Sequence, residues 1–182
     1  ITAGVVAGEH VALYEIMCDG ADLYWTELRP AEGGRKVIVR RTPDGRTSDV
    51  NPTPYNARTR VHEYGGGDFL IIDGVVYFSN FADQRIYRVR PGAAPEPFTP
   101  AGPYQYADGV HDRARRRIIC VREDHGPGDQ DAVSTLVAIP LDGGRAHVLI
   151  EGADFYASPR LSPDGTRLAW LSWNHPNMPW DG

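Results

Sequence analysis

Asp68-Phe69-Leu70-Ile71-Ile72-Asp73-Gly74-Val75-Val76-Tyr77-Phe78-Ser79 is the stretch from which the fold can be read. Two short runs rich in β-branched and aromatic residues flank an Asp-Gly pair. Such runs favour strands, and Asp-Gly tolerates the positive φ of a tight hairpin turn. The segment therefore reads as strand, turn, strand. The same phrase recurs: Ala21–Leu28 follows Asp19-Gly20, Arg116–Glu123 follows a turn at Asp112, and Arg167–Trp173 follows Asp164-Gly165. Seven Asp-Gly pairs punctuate the chain, at Asp19, Asp44, Asp73, Asp108, Asp142, Asp164 and Asp181.

A third strand trails each of the first three hairpins: Lys36–Arg40, Arg85–Val89 and Thr135–Ile139. Each ends in a tight turn, Asp44-Gly45, Pro91-Gly92 and Asp142-Gly143, and a short last strand follows near Thr47–Val50, Glu96–Thr99 and Ala146–Ile150. The first strand of each unit reads as Val11–Met17, Gly67–Ile72, Tyr104–His111 and Phe155–Leu161. Four strands in about 50 residues, repeated in phase, is the pattern of a β-propeller blade. The expectation is an all-β partial propeller of three complete four-stranded antiparallel blades (about 11–51, 66–99 and 104–150) plus the first two strands of a fourth (155–182). A two-sheet sandwich is the rival, but it has no reason to repeat its turn chemistry in register. Thr2–Glu9 is the one helix candidate.

Composition agrees and excludes several classes. The 182 residues are 41% hydrophobic and 24% charged with a net charge of −5, an ordinary globular balance. No apolar run approaches the roughly 18 residues of a spanning helix, so no membrane partner is expected. A mildly acidic chain lacks the clustered cations that nucleic-acid binding needs, so no nucleic-acid partner is expected either. Cys18 and Cys120 are too few for a disulfide framework and are expected to be buried thiols. The chain opens at Ile1 without a leader pattern and closes at Asp181-Gly182, and is expected to be a piece of a longer, cytoplasmic protein.

Blade connectivity puts the turns between strands one and two, and three and four, on one face. The other connections lie on the opposite face. The long ones, Asn51–Gly66, Asp124–Ala132 and Asn174 onward, all belong to that second face, which is therefore expected to be the working face. The first of them contains Arg58-Thr59-Arg60-Val61-His62-Glu63-Tyr64-Gly65-Gly66-Gly67. Arg58, Arg60, His62, Glu63 and Tyr64 are the candidate substrate-binding residues, able to clamp a carboxylate or a peptide terminus. The alternative is an ion pair between Glu63 and an arginine that merely shapes the loop. Three glycines allow positive φ and close backbone approach. His62-Glu63 does not begin a zinc motif, since Gly66 stands where the second His is required. His111, His125, His147 and His175 stand alone, and Asp129 and Asp131 make at most a solvated two-carboxylate loop, so neither metal nor cofactor is expected. None of the six serines sits in Gly-x-Ser-x-Gly, so the segment is expected to hold no catalytic residue.

Arg58–Gly67, Val76–Gln84 and above all Ser158–Gly182 (S-P-R-L-S-P-D-G-T-R-L-A-W-L-S-W-N-H-P-N-M-P-W-D-G) resemble the prolyl oligopeptidase family, most closely its acylaminoacyl-peptidase and dipeptidyl-peptidase branch. The resemblance implies an N-terminal propeller that restricts access of large substrates to a downstream α/β-hydrolase domain with a Ser-Asp-His triad. The implied partners are that hydrolase domain and a short peptide substrate. Some relatives hold the substrate's amino terminus with propeller carboxylates, and Glu63 is the candidate here. Two other readings compete: a TolB-like propeller acting as a protein-binding scaffold, and a sialidase-like carbohydrate binder. The second needs repeated Asp-boxes and an arginine triad, of which one loose match is present. Self-association of the segment is also expected, through Leu168, Trp170, Leu171 and Trp173 of the last strand.

Overall fold

A computed structural model describes residues 10–126 and 131–181. The expected helix at Thr2–Glu9 and the Asp129 position lie outside them. The chain divides into two compact units, Ile1–Ala57 and Arg58–Gly182.

The first unit is one four-stranded antiparallel sheet, β1 (Ala12–Asp19), β2 (Asp22–Arg29), β3 (Arg35–Arg41) and β4 (Thr47–Asp49), in simple meander order. β3 carries the buried Val37, Ile38 and Val39. Beyond β4, the fully buried Asn51 accepts the Ile38 N–H on Oδ1 (2.7 Å) and donates Nδ2 to the carbonyls of Lys36 (3.1 Å) and Tyr55 (3.0 Å). That side chain satisfies strand groups left unpaired where β4 stops. β1 is an edge strand on which Leu13 and Ile16 are 68% and 70% exposed. Cys18 lies on this strand and is exposed, contrary to the expectation of two buried thiols; only Cys120 is buried.

The second unit holds three antiparallel sheets. β5 (Phe69–Ile72), β6 (Val75–Ser79), β7 (Ile86–Val89) and β8 (Glu96–Pro97) form one meander. β9 (Tyr104–Asp112), β10 (Arg117–Asp124), β11 (Val133–Pro140) and β12 (His147–Ile150) form the next, and β13 (Phe155–Leu161) pairs with β14 (Leu168–Trp173). Thr99 repeats the role of Asn51, its Oγ1 accepting the Ile86 N–H at 3.0 Å where β8 ends. The sheets pack face to face: β5 lies against β9, and β13 against β9, β10 and β11. Val61, Ala107, Val121, Leu136 and Tyr156 form the core between the second and third sheets. Each large side chain so buried contributes about 1.5–3 kcal/mol.

Three first strands carry a bulge with a non-glycine residue at positive φ: Glu15 (29°), Asp108 (57°) and Ser158 (50°). Asp108-Gly109 makes no hairpin turn but a bulge inside β9, the strand expected to run through it as Tyr104–His111. Such bulges bend a strand and re-aim its side chains.

Candidate functional site

The loop from Arg58 to Gly67 makes no regular structure, yet its amides are almost fully accounted for. The Arg58 N–H donates to the Ser79 carbonyl (2.9 Å), that of Thr59 to Asp68 Oδ1 (2.7 Å) and that of Arg60 to Gln84 Oε1 (2.8 Å). The His62 N–H donates to Glu123 Oε1 (2.9 Å), and Gly65 N–H closes a turn onto the Val61 carbonyl (2.8 Å). A loop whose backbone is paired this completely presents its side chains from a fixed frame. His62 and Glu63 both take positive φ, 58° and 65°. Such conformations cost of order 1–3 kcal/mol each and persist only where surroundings impose them. Here the buried Val61 on one side and the Glu123 carboxylate on the other impose them.

His62, Glu63 and Tyr64 line an open cavity of about 490 Å³. Its other walls come from the end of β10 and the following loop (Glu123, His125, Asp131), the start of β13 (Asp154, Phe155) and the end of β14 (Trp173, His175). Parts of all three elaborated connections meet at this cavity: His62–Tyr64, His125 with Asp131, and His175. The rings form its floor: Phe155 stacks on Trp173 (centroids 5.2 Å apart, 17° between planes), and His62 lies 5.3 Å from Trp173 and 5.9 Å from Phe155. His175 and Tyr64 extend the cluster, 4.7 Å from Phe155 and 5.5 Å from His62. Among the described residues, four carboxylates, Glu63, Glu123, Asp131 and Asp154, line the same space, and no lysine or arginine does.

The carboxylates differ in partners. Glu123 is 6% exposed, and its second oxygen lies 3.2 Å from His125 Nε2. Asp154 Oδ2 accepts the His175 N–H (2.9 Å) and lies 3.2 Å from His175 Nδ1; these two contacts hold its carboxyl below the usual range. Glu63 is exposed and has no ion pair among the described residues. Burial, then the Glu123 and Asp108 charges, push the Tyr64 phenol above its ordinary value. His62 Nε2 is buried without a hydrogen-bond partner. The arrangement suits a cation: ring faces and carboxylates attract an ammonium together, and low local dielectric strengthens both.

The five residues singled out in the sequence are therefore divided. His62, Glu63 and Tyr64 face the cavity. Arg58 and Arg60 do not line it; their guanidinium groups lie over the Phe81 ring, 4.9 and 4.3 Å from its centroid. The ion pair between Glu63 and an arginine is not formed. Sequence reasoning missed Glu123, Asp154, Phe155 and Trp173 as site residues and gave little weight to His125 and His175. The available signal was position: each stands at the working-face end of a strand or just beyond it.

These sheets and their loops define a β-propeller segment whose cavity lies on the side of its long connections. Among solved structures, the chain is 39% identical to a Mycobacterium tuberculosis puromycin-hydrolysing peptidase, with a TM-score of 0.89 over 100% of this chain and 30% of that one. It is 36% identical to a puromycin hydrolase, with a TM-score of 0.86 over 98% of this chain and 30% of that one. The chain belongs to the prolyl oligopeptidase family, as part of its N-terminal propeller. It spans about a third of the length of these solved relatives. A TolB from Agrobacterium tumefaciens, 18% identical with a TM-score of 0.60 over 88% of this chain and 58% of that one, shares the fold. No protein-family profile and no curated protein matches.

Proposed function

We propose that this chain is the non-catalytic propeller part of a serine peptidase, and that its acidic, aromatic-floored cavity receives the amino end of a short peptide or aminoacyl compound. The hydrolase that acts on it is a downstream α/β domain, and the propeller shapes and gates the approach of substrates to that domain. The observation that carries the reading is the set of four carboxylates around stacked rings, with no lysine or arginine beside them among the described residues. An ammonium close to a carboxylate in such a site gains about 4 kcal/mol at 4 Å and an effective dielectric of 20. An acylated amine carries no charge and gains nothing. The puromycin-hydrolysing activity in the relatives' names makes puromycin a reasonable first substrate. Within the family, the reading favours a free amino end over the blocked one of an acylaminoacyl substrate.

The test uses the full-length protein and a pair of aminoacyl anilides, one with a free amine and one N-acetylated. The free amine is expected to be cleaved with a kcat/KM at least tenfold higher. Equal or preferred cleavage of the acetylated partner rules out ammonium recognition by this cavity. The absence of any hydrolysis by the full-length protein would favour a binding scaffold instead.

A further inference from the structure

The two ring-bearing walls of the cavity come from segments far apart in the chain, and one side chain joins them. Asp108 Oδ1 accepts the Gly67 N–H at 2.6 Å, and Oδ2 accepts the Ser158 N–H at 2.7 Å. Its own N–H donates to the Gly67 carbonyl at 2.9 Å. Gly67 stands three residues beyond Tyr64 on the loop that carries His62, and Ser158 stands three residues beyond Phe155 on β13. We propose that Asp108 is the positioning residue of the cavity, its two carboxylate oxygens setting the His62–Tyr64 wall against the Phe155–Trp173 wall. The functional part of this inference rests on the substrate-binding reading above; the clasp itself does not.

Three observations converge on this role. Asp108 does not line the cavity, so it acts only through what it holds. Both Asp108 and Ser158 occupy bulge positions at positive φ, which turns the Ser158 amide toward β9. A bulge by itself requires no carboxylate there. The glycines opposite are shaped to it: a Cβ on Gly66 or Gly67 would lie 3.1 or 3.0 Å from Asp108 Oδ1. An ionised carboxylate is the one short side chain that accepts from two separate amides. Asparagine accepts on one side only and turns an NH₂ toward the other N–H. It tolerates positive φ as well as aspartate does, so Asp108→Asn removes one half of the clasp at no backbone cost.

The experiment compares Asp108→Asn, Asp108→Ala and Gly67→Ala in the full-length protein by amide hydrogen exchange and by steady-state cleavage of a small aminoacyl anilide. Asp108→Asn is expected to speed exchange of one of the Gly67 and Ser158 amides about tenfold, and Asp108→Ala that of both. KM is expected to rise about tenfold in Asp108→Ala, less in Asp108→Asn, with kcat changed by less than about twofold, because the walls are displaced while the hydrolase is not. Unchanged exchange at both amides overturns the clasp. Altered exchange and a lower melting temperature with unchanged KM overturn the positioning role and leave Asp108 a structural residue. If the unmodified protein cleaves no anilide, the substrate-binding reading and the positioning role fail together, and the exchange measurement still decides the clasp.

Discussion

Replacing Glu123 by alanine should unfold the cavity side of the molecule at markedly lower temperature. Glu123 is 6% exposed, and Oε1 accepts the amide of His62 at 2.9 Å while Oε2 meets His125 at 3.2 Å. Truncation leaves the His62 N–H without its acceptor, and losing a hydrogen bond to a charged group costs about 1.5–3 kcal/mol. The positive φ of His62 (58°) then has one restraint fewer. A total near 2–3 kcal/mol follows, and for a chain of this size each kcal/mol lowers the melting temperature by about 2–4 °C. The expected fall is about 4–12 °C, read by circular dichroism. Glu123→Gln keeps an acceptor for the His62 amide and should fall by less than half as much. A Glu123→Ala protein melting within about 2 °C of the unmodified chain would show that the carboxylate does not hold the His62 turn, and the account of the loop would be wrong.

Other consequences are open to simple measurement. Burial works to raise the Asp112 carboxyl, but the Arg117 hydrogen bond, the Arg115 amide and both guanidinium charges outweigh it and depress the group. A depressed carboxylate contributes stability that is present above its unfolded value, about 3.9, and is lost as pH falls through the folded one. Asp112→Asn should therefore be less stable at pH 7 with a smaller further loss between pH 5 and 2, and an acid titration parallel to the unmodified protein's would refute this. Burial pushes the Cys120 thiol up to about 12, whereas Cys18 is exposed. A thiol reagent should accordingly label one cysteine per native chain and two in denaturant; rapid native labelling of both would contradict the packing of β10. Trp170 and Leu171 on β14 are 37% and 54% exposed, so light scattering on the 182-residue chain at tens of micromolar should show association. A stable monomer is the contrary result.

Most of the strands could be read directly because their signals are local. Val75–Ser79 is apolar and β-branched between an Asp-Gly turn and a polar loop, and it forms β6 over those same residues. Ser162-Pro163-Asp164-Gly165 makes its hairpin through a hydroxyl-to-carboxylate bond, Ser162 Oγ to Asp164 Oδ1, that any sequence with this pattern can form. What escaped is non-local. The strand through Asp108-Gly109 was expected, but its bulge was not, since it forms only where Val121 and Ile119 pair on either side of it. Cys18 looks like a core residue in its own strand, yet it is exposed on β1, the edge strand of its sheet. Half of the site was legible, because His62, Glu63 and Tyr64 sit in a conspicuous loop. Glu123 and Phe155 were not, since each looks like an ordinary strand terminus until the fold brings three termini together. Arg58 and Arg60 stand out in the sequence for their charge, but the Phe81 ring takes up both.

The most direct test of the central claim is a crystal structure of the full-length protein with a short, uncleaved peptide bound. The peptide's ammonium is expected within hydrogen-bonding distance of Glu63 or Glu123 and over the Phe155–Trp173 stack. A peptide bound at the hydrolase with its amino end pointing away from all four carboxylates of the cavity would contradict it.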